Sequence, residues 1–266
     1  MKKIIVVTGA SSGMGKEFLL QIINKEKDID EIWAIARRED RLKELKKEVS
    51  DKIVPIKLDL SLQSDLLKYN QLLEKEKPNI IILANCAGFG IFEHSENIDT
   101  DTKLNMIDLN VKAPVAMIDY SLPYMKKGSK IMNIVSCASF QPIPYINDYA
   151  STKAFLLSYS RALNKELKYK NIHVLAVTPY WTKTEFFDRA ISDNKKKVVI
   201  NYNAMYDARE VMKLAIKDLY NNKKDISCYG FINRGQKFLT KILPHSLVMK
   251  IWMNSQKLDG TPNIRK

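Results

Sequence analysis

The sequence predicts an α/β fold in which helices cover both faces of a doubly wound parallel sheet. Three observations predict it: strict alternation of strand-like and helix-like segments, a glycine-rich turn between the first strand and the first helix, and polar residues that follow the strands. Such alternation is typical of parallel sheets, because each crossover helix packs back onto a sheet face. The 266 residues, 45% of them hydrophobic and without a linker-like or repetitive stretch, are expected to form one domain.

The strand-like segments are short apolar runs rich in β-branched residues, and the helical segments repeat apolar residues every three or four positions. The predicted strands are residues 4–8, 31–36, 53–59, 80–85, 130–136, 173–178 and 225–229. The predicted helices are residues 15–27, 41–49, 62–77, 100–125, 149–170 and 208–221. Ligands of such sheets bind at the carboxyl ends of the strands, so residues directly after a strand are the candidates for a site.

The turn after the first strand carries Gly9, Gly13 and Gly15. A strand, a glycine turn and a helix N-terminus together place backbone N–H groups where they bind a pyrophosphate. The spacing is Gly-x-x-x-Gly-x-Gly rather than the commoner Gly-x-Gly-x-x-Gly. A turn that only closes a loop is the alternative, but the position at the first strand favours a nucleotide site.

Tyr149 and Lys153 begin a long helical stretch and stand four residues apart, so their side chains share one helix face. A free tyrosine has a pKa near 10, and a lysine beside it favours the phenolate and lowers that pKa. The pair is therefore predicted to exchange protons with a substrate. Ser136 ends a predicted strand just before this helix, where its hydroxyl is placed to hold a carbonyl or alcohol oxygen. A Tyr-x-x-x-Lys spacing alone is common and usually marks a solvated helix face.

Asn110 lies in a predicted helix that also contains Pro114. A proline cannot donate to the carbonyl four residues earlier, which here belongs to Asn110. A freed interior carbonyl needs another partner, and water is the natural one. A kinked helix without a chemical role is the alternative.

These motifs together resemble the short-chain dehydrogenase/reductase family, whose fold is of the Rossmann type, and the resemblance covers most of the chain. It rests on residues 8–15, on Asn-Cys-Ala-Gly at 85–88, on Asn110, on Ser136, Tyr149 and Lys153, and on Pro179. Two positions depart from the family pattern. Cys86 replaces a second asparagine, and Tyr180 stands where a glycine is usual, which affects the backbone expected beside the nicotinamide.

The resemblance implies reversible hydride transfer between NADP(H) and a ketone or secondary alcohol. It implies that Ser136 positions the substrate oxygen and that Tyr149 is the general acid in reduction and the base in oxidation. Lys153 would lower the tyrosine pKa and hold the nicotinamide ribose, and Asn110 would anchor a water on the proton path. No metal is needed, because the cofactor supplies the hydride. The competing class is a non-catalytic nucleotide-binding or regulatory protein of the same fold, which an altered tyrosine or lysine would favour.

The second predicted strand ends at Ala36 without an acid and is followed by Arg37 and Arg38. A carboxylate at this place binds the 2′-hydroxyl of NAD, whereas an arginine meets the 2′-phosphate of NADP. The sequence therefore favours NADP(H) as the cofactor. The alternative is that Arg37 and Arg38 are only solvated charges at a turn. Asp59 resembles the family's adenine contact and equally fits a helix cap. The expected cofactor residues are Gly9, Ser11, Ser12, Gly13, Met14, Gly15, Arg37, Arg38, Asp59, Leu60, Asn85, Ala87, Gly88, Tyr149, Lys153, Pro179, Thr182 and Thr184.

Aromatic and soft apolar residues crowd the segment after Pro179 and predict an apolar substrate site, although a local core is the alternative. The expected substrate residues are Ser136, Tyr149, Tyr180, Trp181 and Phe186, with Phe187, Tyr202, Met205 and Tyr206 nearby. This density suggests a bulky apolar ketone or alcohol, such as a hydroxysteroid or a 3-oxoacyl chain. The chain then divides into a cofactor-binding core with the catalytic residues (1–178), a substrate loop (179–207), and a C-terminal helix, last strand and tail (208–266).

The net charge of +13, from 43 Lys+Arg against 30 Asp+Glu, raises the question of a nucleic-acid partner. The lysines are spread as solvated faces, for example Lys43, Lys46 and Lys47 or residues 195–197, and no nucleic-acid motif accompanies them, so no such partner is expected. No apolar run reaches the length of a membrane span, and the N-terminal run is too short for a secretory signal.

The three cysteines show no C-x-x-C spacing, so neither a disulfide nor a metal site is expected. Cys137 follows Ser136 and is expected to be a small buried residue rather than a nucleophile. Together with the missing export signal, this cysteine usage indicates a cytoplasmic protein.

The tail at residues 236–257 repeats apolar residues at helical spacing, interrupted by Pro244 and accompanied by lysines. The favoured role of the tail is to cover the substrate site or a subunit partner. The alternative is contact with an anionic membrane surface. The family resemblance adds the expectation of a homodimer or homotetramer.

Overall fold

The structure is a computed structural model that describes residues 1–190 and 198–258. Strands and helices alternate along these residues. The strands are β1 (Lys3–Thr8), β2 (Glu31–Ala36), β3 (Ile53–Lys57), β4 (Asn79–Asn85), β5 (Met125–Ile134), β6 (His173–Val177), β7 (Thr182–Lys183), β8 (Tyr206–Asp207) and β9 (Ile226–Ser227). The α-helices are α1 (Gly13–Lys25), α2 (Glu39–Val49), α3 (Gln63–Glu76), α4 (Thr100–Ile107), α5 (Ala113–Ser121), α6 (Asn147–Glu166), α7 (Phe186–Ala190), α8 (Ala208–Asn221), α9 (Phe231–Ile242) and α10 (His245–Ser255).

Seven of these strands form one parallel sheet in the order β3-β2-β1-β4-β5-β6-β9. β1 and β4 are neighbours in the sheet although β2 and β3 lie between them in the chain. The strand order reverses at this point, which leaves a crevice at the carboxyl ends of β1 and β4 where ligands of such sheets bind. The prediction of a doubly wound α/β fold is confirmed.

Both faces of β1 are buried. Ile5 packs with Phe18 of α1 on one face, and Ile4 and Val6 pack with Tyr69 of α3 on the other. A central parallel strand covered on both faces is continuously apolar, which explains why residues 4–8 predict a strand so clearly.

The predicted helix at residues 100–125 is divided. α4 and α5 are joined by a π-helical turn at Asp108–Lys112, where the N–H of Ala113 donates to the carbonyl of Asp108. Pro114 lies in the first turn of α5, directly after this π-helical turn, and cannot donate to a carbonyl of it. The prediction of one regular helix over residues 100–125 is therefore wrong in form: a wider turn, which contains Asn110, accommodates the proline.

Several other boundaries differ from the predictions. β5 begins at Met125 and ends at Ile134, so Ser136 lies beyond the strand rather than at its end. The last strand of the sheet, β9, has two residues instead of the expected five, and β7 and β8 form a small parallel pair that was not predicted. Part of the expected substrate loop, including Lys195, Lys196 and Lys197, lies outside the described residues.

The tail forms two helices, and Pro244 separates α9 from α10 as predicted. Neither of them, nor any other helix within residues 1–190 and 198–258, combines the length and the apolar character that crossing a bilayer requires.

Candidate active site

The glycine turn after β1 lies against the end of β4. Thr8 fixes this approach, because its hydroxyl oxygen accepts hydrogen bonds from the N–H groups of Cys86 (3.0 Å) and Ala87 (3.1 Å). Gly9 has a φ of +64°, and a Cβ on it would stand 2.9 Å from Ala87. A Cβ on Gly15 would stand 2.3 Å from the carbonyl oxygen of Gly9. Larger residues cannot enter either place, so the turn keeps its backbone N–H groups uncovered.

A cleft of about 700 Å³ opens at this turn, at the carboxyl ends of β1, β2 and β4. We call it the dinucleotide cleft. Most of the predicted cofactor residues line it: Gly9, Ser11, Ser12, Gly13, Met14, Gly15, Arg37, Arg38, Asp59, Leu60, Ala87, Gly88 and Thr184. The lining offers uncovered backbone donors, two serine hydroxyls and guanidinium groups, which is the donor set that a phosphate-bearing dinucleotide requires.

Two guanidinium groups converge at the outer end of the dinucleotide cleft. Arg38 donates to the hydroxyl oxygen of Ser12 at 2.7 Å and to the carboxylate of Glu185 at 2.7 Å. Arg41 donates to the other oxygen of the same carboxylate. The hydrogen bond from Arg38 is the main cause that lowers the pKa of Glu185. Arg41 and Glu185 were not among the predicted residues, although the i, i+3 spacing of Arg41 from Arg38 is a signal that two guanidinium groups share a face.

Arg37 and Asp59 lie side by side rather than at this cluster. The guanidinium of Arg37 is mostly exposed and stands 3.8 Å from a carboxylate oxygen of Asp59. The other carboxylate oxygen of Asp59 accepts from the N–H (3.1 Å) and hydroxyl (2.7 Å) of Ser61. The N-cap residue of α3 is Leu62, so the alternative that Asp59 caps this helix is wrong: Asp59 belongs to the turn before it.

A second cavity of about 420 Å³ has mainly apolar walls, and we call it the apolar cavity. Its lining includes the five expected substrate residues and three further expected cofactor residues: Ser136, Tyr149, Pro179, Tyr180, Trp181, Thr182 and Phe186. Lys153 lines neither space. Met14, Thr184 and Phe186 line both the apolar cavity and the dinucleotide cleft. The two spaces therefore meet beside Tyr149.

Ser136, Tyr149 and Lys153 come together at this meeting point, and all three are buried. The hydroxyl oxygen of Ser136 accepts from the N–H of Ala138 at 3.1 Å, and the Ser136 hydroxyl is near enough to the Tyr149 phenol to influence its pKa. Lys153 is 4% exposed and donates to the carbonyl of Ile134 at 2.9 Å. Its ammonium nitrogen lies 5.7 Å from the centre of the Tyr149 ring.

The protonation states of this group follow from burial. Burial raises the pKa of Tyr149, and the nearby Ser136 hydroxyl opposes this only in part. Burial also lowers the pKa of Lys153 to about 8. The pKa of Tyr149 therefore lies above its ordinary value and not below it as predicted, because desolvation of the phenolate outweighs the effect of the ammonium, which is directed at the Ile134 carbonyl. The site holds a neutral phenol beside a lysine whose pKa is about 8.

The cysteines near the site have unreactive thiols. Burial raises the pKa of Cys86 to about 12 and that of Cys137 to about 12. A thiol with such a pKa forms little thiolate at neutral pH, which argues against a nucleophilic Cys137. Across residues 1–190 and 198–258, no cluster of three His, Cys, Asp or Glu side chains is arranged to hold a metal ion.

Asn110 lies behind both cavities and lines neither. Its side-chain oxygen accepts from the N–H of Phe89 at 3.1 Å, and its amide donates to the carbonyl of Phe89 (2.8 Å) and the hydroxyl of Thr152 (3.1 Å). Asn110 thus ties the segment after β4 to α6. π-helical turns such as the one that carries it are frequent at functional sites.

Asn85 is also absent from the lining of the dinucleotide cleft. Its amide donates to the side-chain oxygen of Asn133 at 2.9 Å, and the amide of Asn133 donates to Ser160 at 2.9 Å. The structure therefore brings Ala87 and Gly88 to the cleft, while the side chain of Asn85 joins β4, β5 and α6 beneath it.

Aromatic rings form one wall of the apolar cavity. Phe92 lies 6.4 Å from Tyr149 and 5.7 Å from Trp181 between ring centres, and Phe186 lies 5.4 Å from Tyr149. Phe92 was not predicted, although it follows the Asn-Cys-Ala-Gly motif by only four residues.

Three residues expected near the substrate are not in the lining of the apolar cavity. Tyr202 packs edge-on against Trp181 behind the wall, and Tyr206 packs against Tyr180 and pairs in β8. Met205 is exposed. These residues support the wall or face away from it, since only part of an aromatic-rich segment can reach one cavity.

The tail closes the far side of the apolar cavity. Its lining residues there are Ile232, Gly235, Gln236, Leu239, Thr240, Leu243, Val248, Ile251, Trp252, Ser255 and Gln256. Trp252 donates through its indole N–H to the carbonyl of Pro144 at 3.0 Å. The side-chain oxygen of Gln256 accepts from the N–H groups of Ile200 and Asn201, each at 2.9 Å. These bonds hold α10 against the loops beside the cavity.

The fold and the site together define a class of protein: a doubly wound α/β protein with a glycine turn after its first strand and a buried serine, tyrosine and lysine nearby. The sequence model of the family described as short chain dehydrogenase matches residues 3–195. This chain belongs to that family, which confirms the resemblance seen in its motifs.

Known relatives are similar over most of the chain. An NADP-dependent 3-hydroxy acid dehydrogenase from Schizosaccharomyces pombe is 32% identical over 202 residues, which cover 73% of this chain and 77% of that protein. A very-long-chain 3-oxoacyl-CoA reductase from Bos taurus is 29% identical over 192 residues, which cover 68% of this chain and 59% of that protein. A short-chain dehydrogenase from Sphingobium yanoikuyae, solved in complex with NADPH, superposes with a TM-score of 0.74 at 24% identity, over 92% of this chain and 97% of that one, and shows the shared fold.

Proposed function

We propose that this protein is an NADP(H)-dependent oxidoreductase that interconverts a bulky apolar ketone and the corresponding secondary alcohol. One observation carries the proposal: Ser136 and Tyr149 form the wall of the apolar cavity at the place where it meets the dinucleotide cleft. A carbonyl held by these two hydroxyls would therefore face the nicotinamide end of a dinucleotide in the cleft. That cofactor supplies or accepts the hydride when bound.

The cofactor is NADP(H). The relatives and the solved structure named above include proteins described as NADP-dependent or bound to NADPH. In this chain Arg38 and Arg41 provide two guanidinium groups at the outer end of the dinucleotide cleft. Bidentate, charge-assisted hydrogen bonds from such groups match the oxygens of a 2′-phosphate.

Each residue at the meeting point has its own role in the transfer of the proton. In reduction Tyr149 gives its phenol proton to the substrate oxygen, which Ser136 holds by a hydrogen bond. The raised pKa of Tyr149 keeps the phenol in its protonated form at neutral pH. Lys153, close beneath the ring, stabilises the phenolate that forms and passes a proton back to it, since burial lowers its pKa to about 8. Asn110 holds the segment after β4 against α6 and so keeps Tyr149 and Lys153 in position.

The walls of the apolar cavity support a bulky apolar substrate, because aromatic and aliphatic side chains from three parts of the chain enclose it. A hydroxysteroid is one member of this class. A 3-oxoacyl chain is the second candidate, and the names of the relatives from S. pombe and B. taurus favour it. A non-catalytic nucleotide-binding role has less support, since the tyrosine, serine and lysine are all present and grouped.

A substrate panel tests the proposal. NADPH oxidation is followed with an oxosteroid, a long-chain 3-oxoacyl thioester and a small soluble ketone, for the wild type and for Tyr149→Phe. We expect turnover of at least one bulky substrate with a lower KM than the small ketone, and a loss of that turnover in the variant. Binding of NADPH without turnover of any carbonyl compound would instead support the non-catalytic role.

A further inference from the structure

Helix α9 is amphipathic, but its polar face is directed inward and its apolar face outward. Its inward face is polar: Asn233 has no solvent exposure and donates to the carbonyl of Thr178 at 2.7 Å. Thr240, also buried, donates to the carbonyl of Gln236 at 3.0 Å. A surface helix of a globular protein normally turns its apolar face inward, so this arrangement leaves the apolar side of α9 without a partner within the described chain.

The outward face of α9 carries large apolar side chains. Phe231 is 90% exposed, Phe238 is 62% exposed and Ile242 is 60% exposed. These residues stand seven and four positions apart, which places them in one row along the helix. We call this row the outer apolar face. Leu247 and Ile251 of α10 are exposed as well, so the second tail helix also presents apolar residues to the outside.

The charged residues of the tail itself have one sign. Residues 231–257 contain no aspartate or glutamate, whereas a stretch of this length would hold about three at the chain's average of 30 in 266. The same stretch contains five cationic residues: Arg234, Lys237, Lys241, Lys250 and Lys257. On α9 the exposed Arg234 and Lys241 lie along one edge of the outer apolar face.

We propose that the outer apolar face of α9, with the exposed residues of α10, docks on the surface of an anionic lipid bilayer. The apolar side chains would enter the boundary between headgroups and acyl chains, and the exposed Arg234, Lys241 and Lys250 would meet anionic headgroups. This is surface attachment, since no described helix is long and apolar enough to cross a bilayer.

The charge pattern favours lipid over a second copy of the chain. A twofold contact through this face would bring the same surface patch against itself, and therefore cations against cations without an acid to pair with. An anionic bilayer provides both the apolar layer and the opposite charge. Ile232, Leu239 and Ile251 are exposed and also line the apolar cavity, so docking would place the opening of that cavity at the lipid. The docking itself does not rest on the proposed oxidoreductase activity.

Vesicle co-sedimentation of the full chain tests this proposal. The probes are vesicles of phosphatidylcholine mixed with phosphatidylglycerol and vesicles of phosphatidylcholine alone, each at low and high ionic strength. We expect binding to the mixed vesicles that exceeds binding to the neutral ones and weakens with salt. The double variant Phe238→Ser/Ile242→Ser should bind at least about tenfold more weakly, because two large side chains no longer enter the lipid.

A matched control replaces two exposed leucines far from the tail in sequence, Leu62→Ser/Leu104→Ser, and should bind as the wild type does. Phe238 and Ile242 line neither cavity, so the tail variant should keep its NADPH affinity, which shows that it is folded. The proposal is overturned if the wild type does not sediment with mixed vesicles at low ionic strength, or if both double variants bind equally well. It is also overturned if the wild type does not bind vesicles and is a dimer that the tail variant dissociates, since the face would then belong to a second copy.

Discussion

Lys153 is the side chain in which stability and function oppose each other most directly. Its ammonium is almost completely removed from water and has one backbone carbonyl as its hydrogen-bond partner. Burial lowers its pKa from 10.5 to about 8, so the folded protein pays a free-energy penalty whenever this group is charged. A site that keeps a charge in this position does so for its chemistry.

We therefore expect Lys153→Met to stabilise the protein at neutral pH while it abolishes turnover. The unfolded chain keeps this proton up to about pH 10.5, whereas the folded chain releases it near pH 8, so the penalty is complete below pH 8 and fades as the pH rises to 10.5. The gain in the free energy of unfolding should be up to about 3 kcal/mol near pH 7 and should shrink through that window. Denaturant unfolding at several pH values measures it.

The exposed Lys47→Met serves as the control and should change the free energy of unfolding little at any pH. A Lys153→Met protein that is less stable than the wild type near pH 7 would show that the bond to Ile134 outweighs the desolvation of the ammonium.

The carboxylate of Glu185 is hydrogen-bonded to the two guanidinium groups that we assign to the 2′-phosphate of NADP(H). Its carboxylate bridges Arg38 and Arg41, and a phosphate that binds both must displace it. We expect Glu185→Gln to bind NADPH about threefold to tenfold more tightly, because the partly exposed ion pairs no longer compete. The affinity for NADH should change little. Fluorescence titration with both cofactors measures this difference.

Arg38 should then matter more for NADPH than Arg37, which stands apart beside Asp59. Removal of a charge-assisted contact to phosphate costs about 1.5–3 kcal/mol, so Arg38→Ala should weaken NADPH binding about tenfold or more. Arg37→Ala is the matched comparison in the same titration. An equal or larger loss in Arg37→Ala would make Arg37, and not Arg38, the main phosphate contact.

At the scale of elements, α10 is the part of the fold whose role depends most on tertiary contacts. Trp252 packs with the aromatic cluster beside Tyr149 and lines the apolar cavity, and its indole N–H is bonded to Pro144. The helix is therefore fastened at the cavity that the proposed substrate would enter.

Trp252→Ala should raise KM for bulky ketones several-fold and leave KM for NADPH unchanged, because the cavity loses a wall while the dinucleotide cleft is untouched. The free energy of unfolding should fall by about 2 kcal/mol, less than for a fully buried tryptophan. Trp252→Phe is the control that keeps a ring and loses only the hydrogen bond. Unchanged KM values for bulky substrates in Trp252→Ala would separate α10 from substrate binding.

Sequence periodicity predicts some of these elements and misses others. The central strands are buried on both faces, and their continuous apolar runs predict them well. The apolar spacing of residues 100–125 is helical throughout, so a π-helical turn inside it leaves almost no trace in the periodicity except Pro114. The two-residue strands β7, β8 and β9 are set by tertiary packing and are too short for a periodic signal.

For the whole molecule, the parts of the site that lie close together in sequence could be predicted and those joined by the fold could not. The glycine turn and the Tyr149–Lys153 pair are local patterns with a chemical meaning. The pairing of Glu185 with Arg38, and the bond of Trp252 to Pro144, join residues more than a hundred positions apart. The pKa of Tyr149 could not be predicted either, because it depends on burial and on where the lysine ammonium is directed.

Two further expectations for the whole molecule stay predictions. A homodimer or homotetramer would be detected by sedimentation in the absence of lipid, and a cytoplasmic location by fractionation of cells. Attachment to a bilayer surface, as proposed for the tail, is compatible with both.

The central claim is that Tyr149 transfers the proton in a carbonyl reduction, and Tyr149→Phe tests it most directly. The measurement is kcat for NADPH-dependent reduction of the best substrate in the panel, together with NADPH affinity, for Tyr149→Phe and for Tyr159→Phe on the same helix. We expect kcat to fall about a hundredfold or more in Tyr149→Phe, because the ring remains and the transferable proton is gone. NADPH affinity should be unchanged, and Tyr159→Phe should behave as the wild type. A Tyr149→Phe protein with near-normal kcat would contradict the account.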